Sequence, residues 1–272
     1  MNDVVNLDGI LMKKWEKTIV SNINWKVKKG EHWALLGLNG SGKTSLLKII
    51  TGYEWPSKGG VSVLGNTYGS CNIQNVRTKI GWVSTALDDR FQARTSDTVL
   101  EVILSGKLAS IGLYEDVTTE DISRAEGTVE RFNIAHLINE PIGILSQGEK
   151  RKTFLARAWM GNPELLILDE PCNGLDVFSR ESLLETIEEL THLENGPTII
   201  YVTHHIEEMV RGITDALILK EGKVVAKGKK ENVITAKNLE SAFNLPLKLS
   251  WEDGRAWISI KDKQTINYKA SQ

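Results

Sequence analysis

The sequence predicts an α/β fold built around a mostly parallel sheet, and three features predict it. Short apolar runs at 33–36, 165–168, 198–202 and 216–219 alternate with stretches of helical spacing. Runs that are apolar on both faces suit strands covered by helices on either side of a parallel sheet. A glycine-rich loop, Gly37-Leu38-Asn39-Gly40-Ser41-Gly42-Lys43-Thr44, stands between the first of these runs and a helical stretch. Two acids, Asp169 and Glu170, follow the second run directly, at the strand end where open α/β sheets place their ligands.

Taken in order, residues 3–70 read as short β segments around the loop. Ile19, Ile23, Trp25 and Val27 alternate in part, and Gly59-Gly60 and Gly65-Asn66 mark turns. Trp33-Ala34-Leu35-Leu36 is a strand leading into the loop. Gly37, Gly40 and Gly42 let the backbone curl and aim its N–H groups inward at a phosphate. Lys43 supplies a point charge for β- and γ-phosphates, and Thr44 a hydroxyl for Mg²⁺. Ser45 opens a helical stretch over 45–50 ended by Gly52, so the phosphates would rest on a helix N-terminus.

Residues 80–83 form a further strand. From 88 to 145 the pattern becomes helical, with Val99, Val102, Ile103 and Leu104 and then Ala125, Val129 and Phe132. Leu145-Ser146-Gln147-Gly148-Glu149 carries a capping-box spacing between Ser146 and Glu149. A helix start with Ser and Gly at its mouth is also an anion site. One monomer has little use for a second such site, so the segment reads as binding the γ-phosphate held by another copy. Asp169 would hold Mg²⁺ through its water shell, and Glu170 would orient or deprotonate the attacking water. Cys172, just beyond, reads as a small packing residue. The tail carries a helix over Ala236–Phe243. The runs 247–251 and 256–260 then flank Asp253-Gly254, a hairpin turn signal.

Thirty-three Lys and Arg against 35 acids leave a formal charge of −2, with no overall basic drive toward nucleic acid. The 272 residues suffice for a large core in one domain with appendages. Two cysteines, Cys71 and Cys172, make no disulfide framework and suit a reducing compartment. Residues 1–4 lack the pattern of a signal peptide. No apolar run approaches the ~20 residues that cross a bilayer. These features lead us to expect a cytoplasmic protein.

The chain resembles the ATP-binding subunit of an ABC transporter over residues 3–235. Residues 37–44 match Walker A, 145–149 the signature motif and 165–170 Walker B; Asn173-Gly174-Leu175-Asp176 looks like the D-loop, and Thr203-His204 matches the switch-histidine segment. The resemblance implies a P-loop NTPase core with a mostly parallel sheet, an N-terminal antiparallel β subdomain and an inserted helical subdomain over about 88–145. Residues 236–272 remain as an appendage. It implies ATP hydrolysis with ATP and Mg²⁺, and two ATP molecules trapped between this chain and a second copy or a related subunit. A membrane permease on a separate chain is the implied partner, at the inner face of the cell membrane.

Residue by residue, the resemblance implies these roles: Lys43 and the loop from Gly37 through Ser45 bind phosphates, and Thr44 and Asp169 serve magnesium. Glu170 is the base, and His204 contacts the γ-phosphate. Ser146, Gln147, Gly148 and Glu149 reach the ATP of the opposite subunit, and Asp176 couples the two sites. His205 is a surface residue at a helix start. Trp15, one of eight tryptophans, stands where the family stacks an aromatic ring on adenine.

Two departures stand out. Gln147 replaces the glycine usual in the signature. Thr85 falls where the family has the glutamine that reaches Mg²⁺ and water and contacts the membrane partner; Gln92 is out of register. Either a water fills the gap at Thr85 or coupling to a partner differs. Thr98-Val99-Leu100-Glu101-Val102 and Gly106 resemble metal-chelate and molybdate-type importer subunits. The alternative is a soluble ABC ATPase without a membrane partner, although such relatives carry two cassettes or a long coiled-coil insertion. Glu170 and His204 argue against a module that binds without hydrolysing. The resemblance implies that membrane and binding subunits, rather than this chain, select the transported substrate.

Overall fold

The computed structural model describes residues 3–84, 91–108 and 117–261. Thr85 lies outside the described residues. β1 (Asp3–Lys14) and β2 (Lys17–Lys28) pair as an antiparallel hairpin, and β3 (Trp33–Leu36) runs through the glycine-rich loop into α1 (Lys43–Ile50). β4 (Lys58–Val63) and β5 (Asn66–Thr67) return to β1, giving a four-stranded antiparallel sheet of order β2-β1-β4-β5. The first two strands run 12 residues each, longer than the expected short segments. Their register slips between Ile10↔Ile23 and Met12↔Val20, where Asn22 takes φ 54°. That bulge is why the apolar alternation was only partial: Val20, not Ile19, is fully buried.

α2 (Ile73–Arg77) leads to β6 (Ile80–Ser84), and α3 (Val99–Leu104) and α4 (Thr119–Arg131) follow. Both later helices begin with capping boxes, Thr98 with Glu101 and Thr118 with Asp121. The lysine at 107 also bonds Asp121, and these contacts hold its carboxyl down at about 2. The described part of the expected helical stretch therefore holds two helices and short 3₁₀ turns such as Ala135–Leu137 and Ile142–Ile144.

α5 (Gln147–Met160), β7 (Leu165–Asp169), α6 (Val177–Thr191), β8 (Thr198–Thr203), β9 (Asp215–Lys220) and β10 (Lys223–Lys229) complete the main sheet. Its order is β10-β9-β3-β8-β7-β6, parallel throughout except where β10 pairs antiparallel with β9. Period-two alternation divides this sheet between two cores. Ala34, Leu36, Leu166, Leu168, Ile199, Tyr201, Ala216 and Ile218 face the core shared with α3 to α6. Trp33, Leu35, Leu165, Ile167, Ile200, Val202, Leu217 and Leu219 face the core shared with α1 and the antiparallel sheet. Each fully buried aliphatic side chain contributes about 1.5–3 kcal/mol.

The described residues close with α7 (Lys230–Val233), α8 (Ala236–Phe243) and a separate hairpin of β11 (Leu247–Glu252) and β12 (Arg255–Ile260). Asp253 and Gly254 take φ 48° and 74°, the two positive values of a type I′ turn.

Candidate functional site

The loop after β3 bends through glycines for steric reasons. A Cβ on Gly37 would lie 2.5 Å from Leu219 O and from Ser41 Oγ, and one on Gly42, at φ 104°, would lie 2.7 Å from Val20 Cγ1. Gly42 is the N-cap of α1, with no side-chain cap and no acid in the first turn. The first amides of α1 are thus left to an anion, on the positive end of the helix dipole. Ser41 Oγ is buried with no hydrogen-bond partner among the described residues, and Leu38, Asn39, Gly40 and Thr44 are exposed. Ser45, half-buried, sits within the first turn.

β7 and β8 are neighbours in the sheet, and their carboxyl ends bring the charged groups to this loop. Lys43 is buried, 6% exposed, with Nζ donating to Gly37 O at 2.7 Å and to Leu38 O at 3.4 Å. The same Nζ stands 3.7 Å from Glu170 Oε1, and His204 Nδ1 lies 3.1 Å from that oxygen. Glu170 takes φ 51°, a conformation non-glycine residues avoid, while its N–H donates to Val202 O at 2.8 Å. The left-handed turn redirects the chain immediately after Asp169, so successive acids serve one pocket. Burial pushes Asp169 up to about 6; the Glu170 charge adds to this and Lys43 opposes it. Burial also lowers Lys43, against the pull of Glu170 and Asp169.

A γ-phosphate entering the loop would give Lys43 a stronger acceptor than a peptide carbonyl. Among the described residues no cluster of three or more His, Cys, Asp or Glu is placed to hold a metal. A hydroxyl at Thr44 with one carboxylate at Asp169 fits Mg²⁺, which keeps waters and shares phosphate oxygens rather than filling a protein cage.

The signature residues form a second group. Ser146 caps α5: its Oγ accepts from Glu149 N at 3.3 Å and donates to Glu149 Oε2 at 2.7 Å, and Ser146 N donates to the same oxygen at 2.8 Å. These contacts lower the Glu149 carboxyl, the Ser146 hydroxyl most. Gln147 is exposed beside them. A Cβ on Gly148 would lie 2.8 Å from Ser179 Oγ, so glycine here lets α5 abut α6. Asp176 caps α6 through Ser179 N at 2.9 Å and Ser179 Oγ at 2.8 Å. Its exposed neighbours are Val177 and Phe178, 70% and 83% accessible.

Trp15, at φ 56° in the turn between β1 and β2, is 100% exposed. His205 is largely exposed and precedes the 3₁₀ turn Ile206–Glu208, with its ring 4.2 Å from that of His204. Cys172 is buried as expected, but its Sγ lies 3.4 Å from Tyr201 OH. Burial pushes this thiol up to about 12. Tyr201 OH donates to Glu208 Oε2 at 3.1 Å, and Thr203 Oγ1 donates to the same oxygen at 2.7 Å. Sequence reasoning missed this buried carboxylate behind His204. Its one signal was a pair of acids, Glu207 and Glu208, set between the apolar residues Ile206 and Met209-Val210.

A profile of the family described as ABC transporter matches residues 20–173. An ABC transporter ATP-binding protein of Streptococcus mutans is 40% identical over 96% of this chain and 96% of its own length. The zinc uptake system ATP-binding protein ZurA of Listeria innocua is 32% identical over 76% of this chain and 78% of its own. Among solved structures, a metal-chelate type ABC transporter in an inward-facing conformation aligns with TM-score 0.80 at 23% identity, over 97% of this chain and 100% of that one. The cassette MJ0796, a dimer in a post-hydrolysis state bound to ADP and Pi, aligns with TM-score 0.70 at 26% identity, over 83% and 98%.

Proposed function

The chain belongs to the ABC transporter family, and on that premise we propose how its residues divide the task of cleaving ATP. It is an ATP-binding, ATP-hydrolysing subunit of a transport system. Lys43 and the amides from Gly37 to Ser45 bind the β- and γ-phosphates, with Lys43 releasing the Gly37 carbonyl as it does so. Thr44 and Asp169 hold Mg²⁺, which when bound neutralises charge on the phosphate oxygens. Glu170 takes the proton of the attacking water, and His204, against the same carboxylate oxygen, contacts the γ-phosphate and keeps Glu170 aimed. Trp15 stacks on adenine, for which its full exposure suits it.

Ser146, Gln147, Gly148 and Glu149 act on the ATP of a second copy or related subunit, and Asp176 couples the two sites. The exposed Val177 and Phe178 beside Asp176 and Ile144 beside Ser146, 70% exposed, give that surface an apolar component fit to be covered. The cassette spans 3–235 with its helical subdomain at about 88–145, and 236–272 is an appendage. A permease on another chain places the subunit at the inner face of the cell membrane, and Thr85 marks altered contact with it. The likeness to a zinc uptake subunit and the importer-like stretch around Thr98 to Gly106 favour import.

The observation that carries this reading is the convergence of Lys43, Glu170 and His204 at the uncapped start of α1. Glu170→Gln tests it. The variant should bind ATP, lose about 10²–10⁴-fold in turnover, and accumulate an ATP-bound dimer on size-exclusion chromatography with ATP and Mg²⁺. A variant that keeps wild-type turnover, or stays monomeric at high concentration, overturns the assignment of base and sandwich.

A further inference from the structure

The C-terminal hairpin reaches the segment that carries His204. Arg255, the first residue of β12, donates from Nε at 2.9 Å and from Nη2 at 2.5 Å to the carbonyl oxygen of Glu207. Its Nη1 donates to Glu181 Oε2 at 2.5 Å. One planar guanidinium thus joins the 3₁₀ turn Ile206–Glu208 to α6, using the fork geometry that fixes direction as well as distance. The hairpin itself is held in place: Ala256 is fully buried, and a Cβ on Gly254 would stand 3.2 Å from Arg211 Cγ.

Both ends of this bridge lead to the site. The Glu207 carbonyl lies three residues beyond His204, and the next residue, Glu208, takes the hydroxyl of Thr203 from below. Thr203 Oγ1 in turn accepts from His205 N at 2.9 Å, so His204 sits between two fastened neighbours. At the other end, Glu181 belongs to the helix whose first turn holds Asp176 and supports Gly148 through Ser179. We infer that Arg255 is a positioning residue for ATP hydrolysis, setting where His204 stands relative to the start of α6. This rests on the reading of His204 as the γ-phosphate contact. It gives the appendage a task in the reaction, because Arg255 cross-links the turn just after His204 to α6, nearer to His204 than the bond from Gly212 N to Glu188 Oε2 at 3.0 Å.

Arg255→Ala, Arg255→Lys and Glu181→Ala in the full chain test it, with steady-state Mg²⁺-ATPase kinetics normalised to the nucleotide-binding fraction. Misplacing a group that acts in the transition state lowers kcat without weakening ground-state binding. Arg255→Ala should lose about tenfold in kcat with KM for ATP changed by less than about twofold. Arg255→Lys reaches one acceptor at a time and should recover part of the loss. Adding Glu181→Ala to Arg255→Ala should cost little more, because both remove the same bridge. A kcat within about twofold of wild type for Arg255→Ala overturns the inference, as does a loss that vanishes on normalisation or equal changes in kcat and KM. Glu170→Gln and His204→Ala run beside them: if those turn over normally, the reading of the site fails, whereas inactive controls beside a normal Arg255→Ala sink the positioning role alone.

Discussion

Asp169 shows the cost of burying a carboxylate at the end of a strand. The unfolded chain titrates it at about 3.8, and burial raises it to about 6 in the folded protein. A carboxyl raised in this way binds its proton more tightly when folded, so stability falls as pH rises from about 4 to about 6 and stays lost above. Asparagine keeps the shape without the charge. Asp169→Asn should therefore stabilise the nucleotide-free protein by about 1–3 kcal/mol at pH 7.5, with the gain shrinking toward pH 4. Thermal melts across that range check both sign and window; a gain independent of pH would refute the cause given. Glu170 carries a second cost, a left-handed φ in a residue with a side chain.

At the scale of elements, the start of α1 stands apart from those of the other helices of eight residues or more. Asn72, Thr98, Thr118, Ser146, Asp176 and Thr235 each cap a helix through a side chain, whereas α1 starts at Gly42 with none, as does the single turn of α7 at Lys229. A side-chain oxygen at that position would compete with phosphate for the same amides, so its absence is expected of a phosphate-binding helix. The start of α5 differs, being both capped and closed against α6 at Gly148. Gly148→Ala places a methyl within 2.8–2.9 Å of the Ser179 side chain, which forces the two helix starts apart. The expected outcome is a loss of about 1–3 kcal/mol in denaturant unfolding. The ATP-driven dimer of Glu170→Gln should weaken with it, and an unchanged dimer would show that the spacing of α5 and α6 does not matter to the partner.

At the scale of the whole molecule, one main sheet gathers two kinds of surface. The carboxyl ends of β3, β7 and β8 carry the phosphate loop, Glu170 and His204, while the starts of α5 and α6 carry the signature and Asp176. Two copies meeting head to tail would set the first surface of one against the second of the other, an isologous arrangement. Phe178, 83% exposed at the start of α6, lies where that contact would cover it. Phe178→Glu in the Glu170→Gln background should abolish the ATP-dependent dimer seen by light scattering while ATP binding by each monomer persists. A dimer that survives the charge would place the partner elsewhere.

Local chemistry was written in the sequence. The phosphate loop between strand and helix, the acids after an apolar run, the capping box at Ser146 and Glu149, and the Asp253-Gly254 turn each depend on residues a few positions apart. All four stand in the structure as read. The bulge at Asn22 broke the alternation that period-two reading relies on, so the length of β2 was not legible. Tertiary structure alone decided what meets across distance. His204 reaches Glu170 because β7 and β8 are parallel neighbours, Gly148 abuts Ser179 because two helix starts converge, and Arg255 grips Glu207 because the last hairpin folds back. Spacing along the chain encodes neither sheet order nor the docking of a terminal hairpin; those follow from which apolar faces can be buried together, a choice made by the whole core at once.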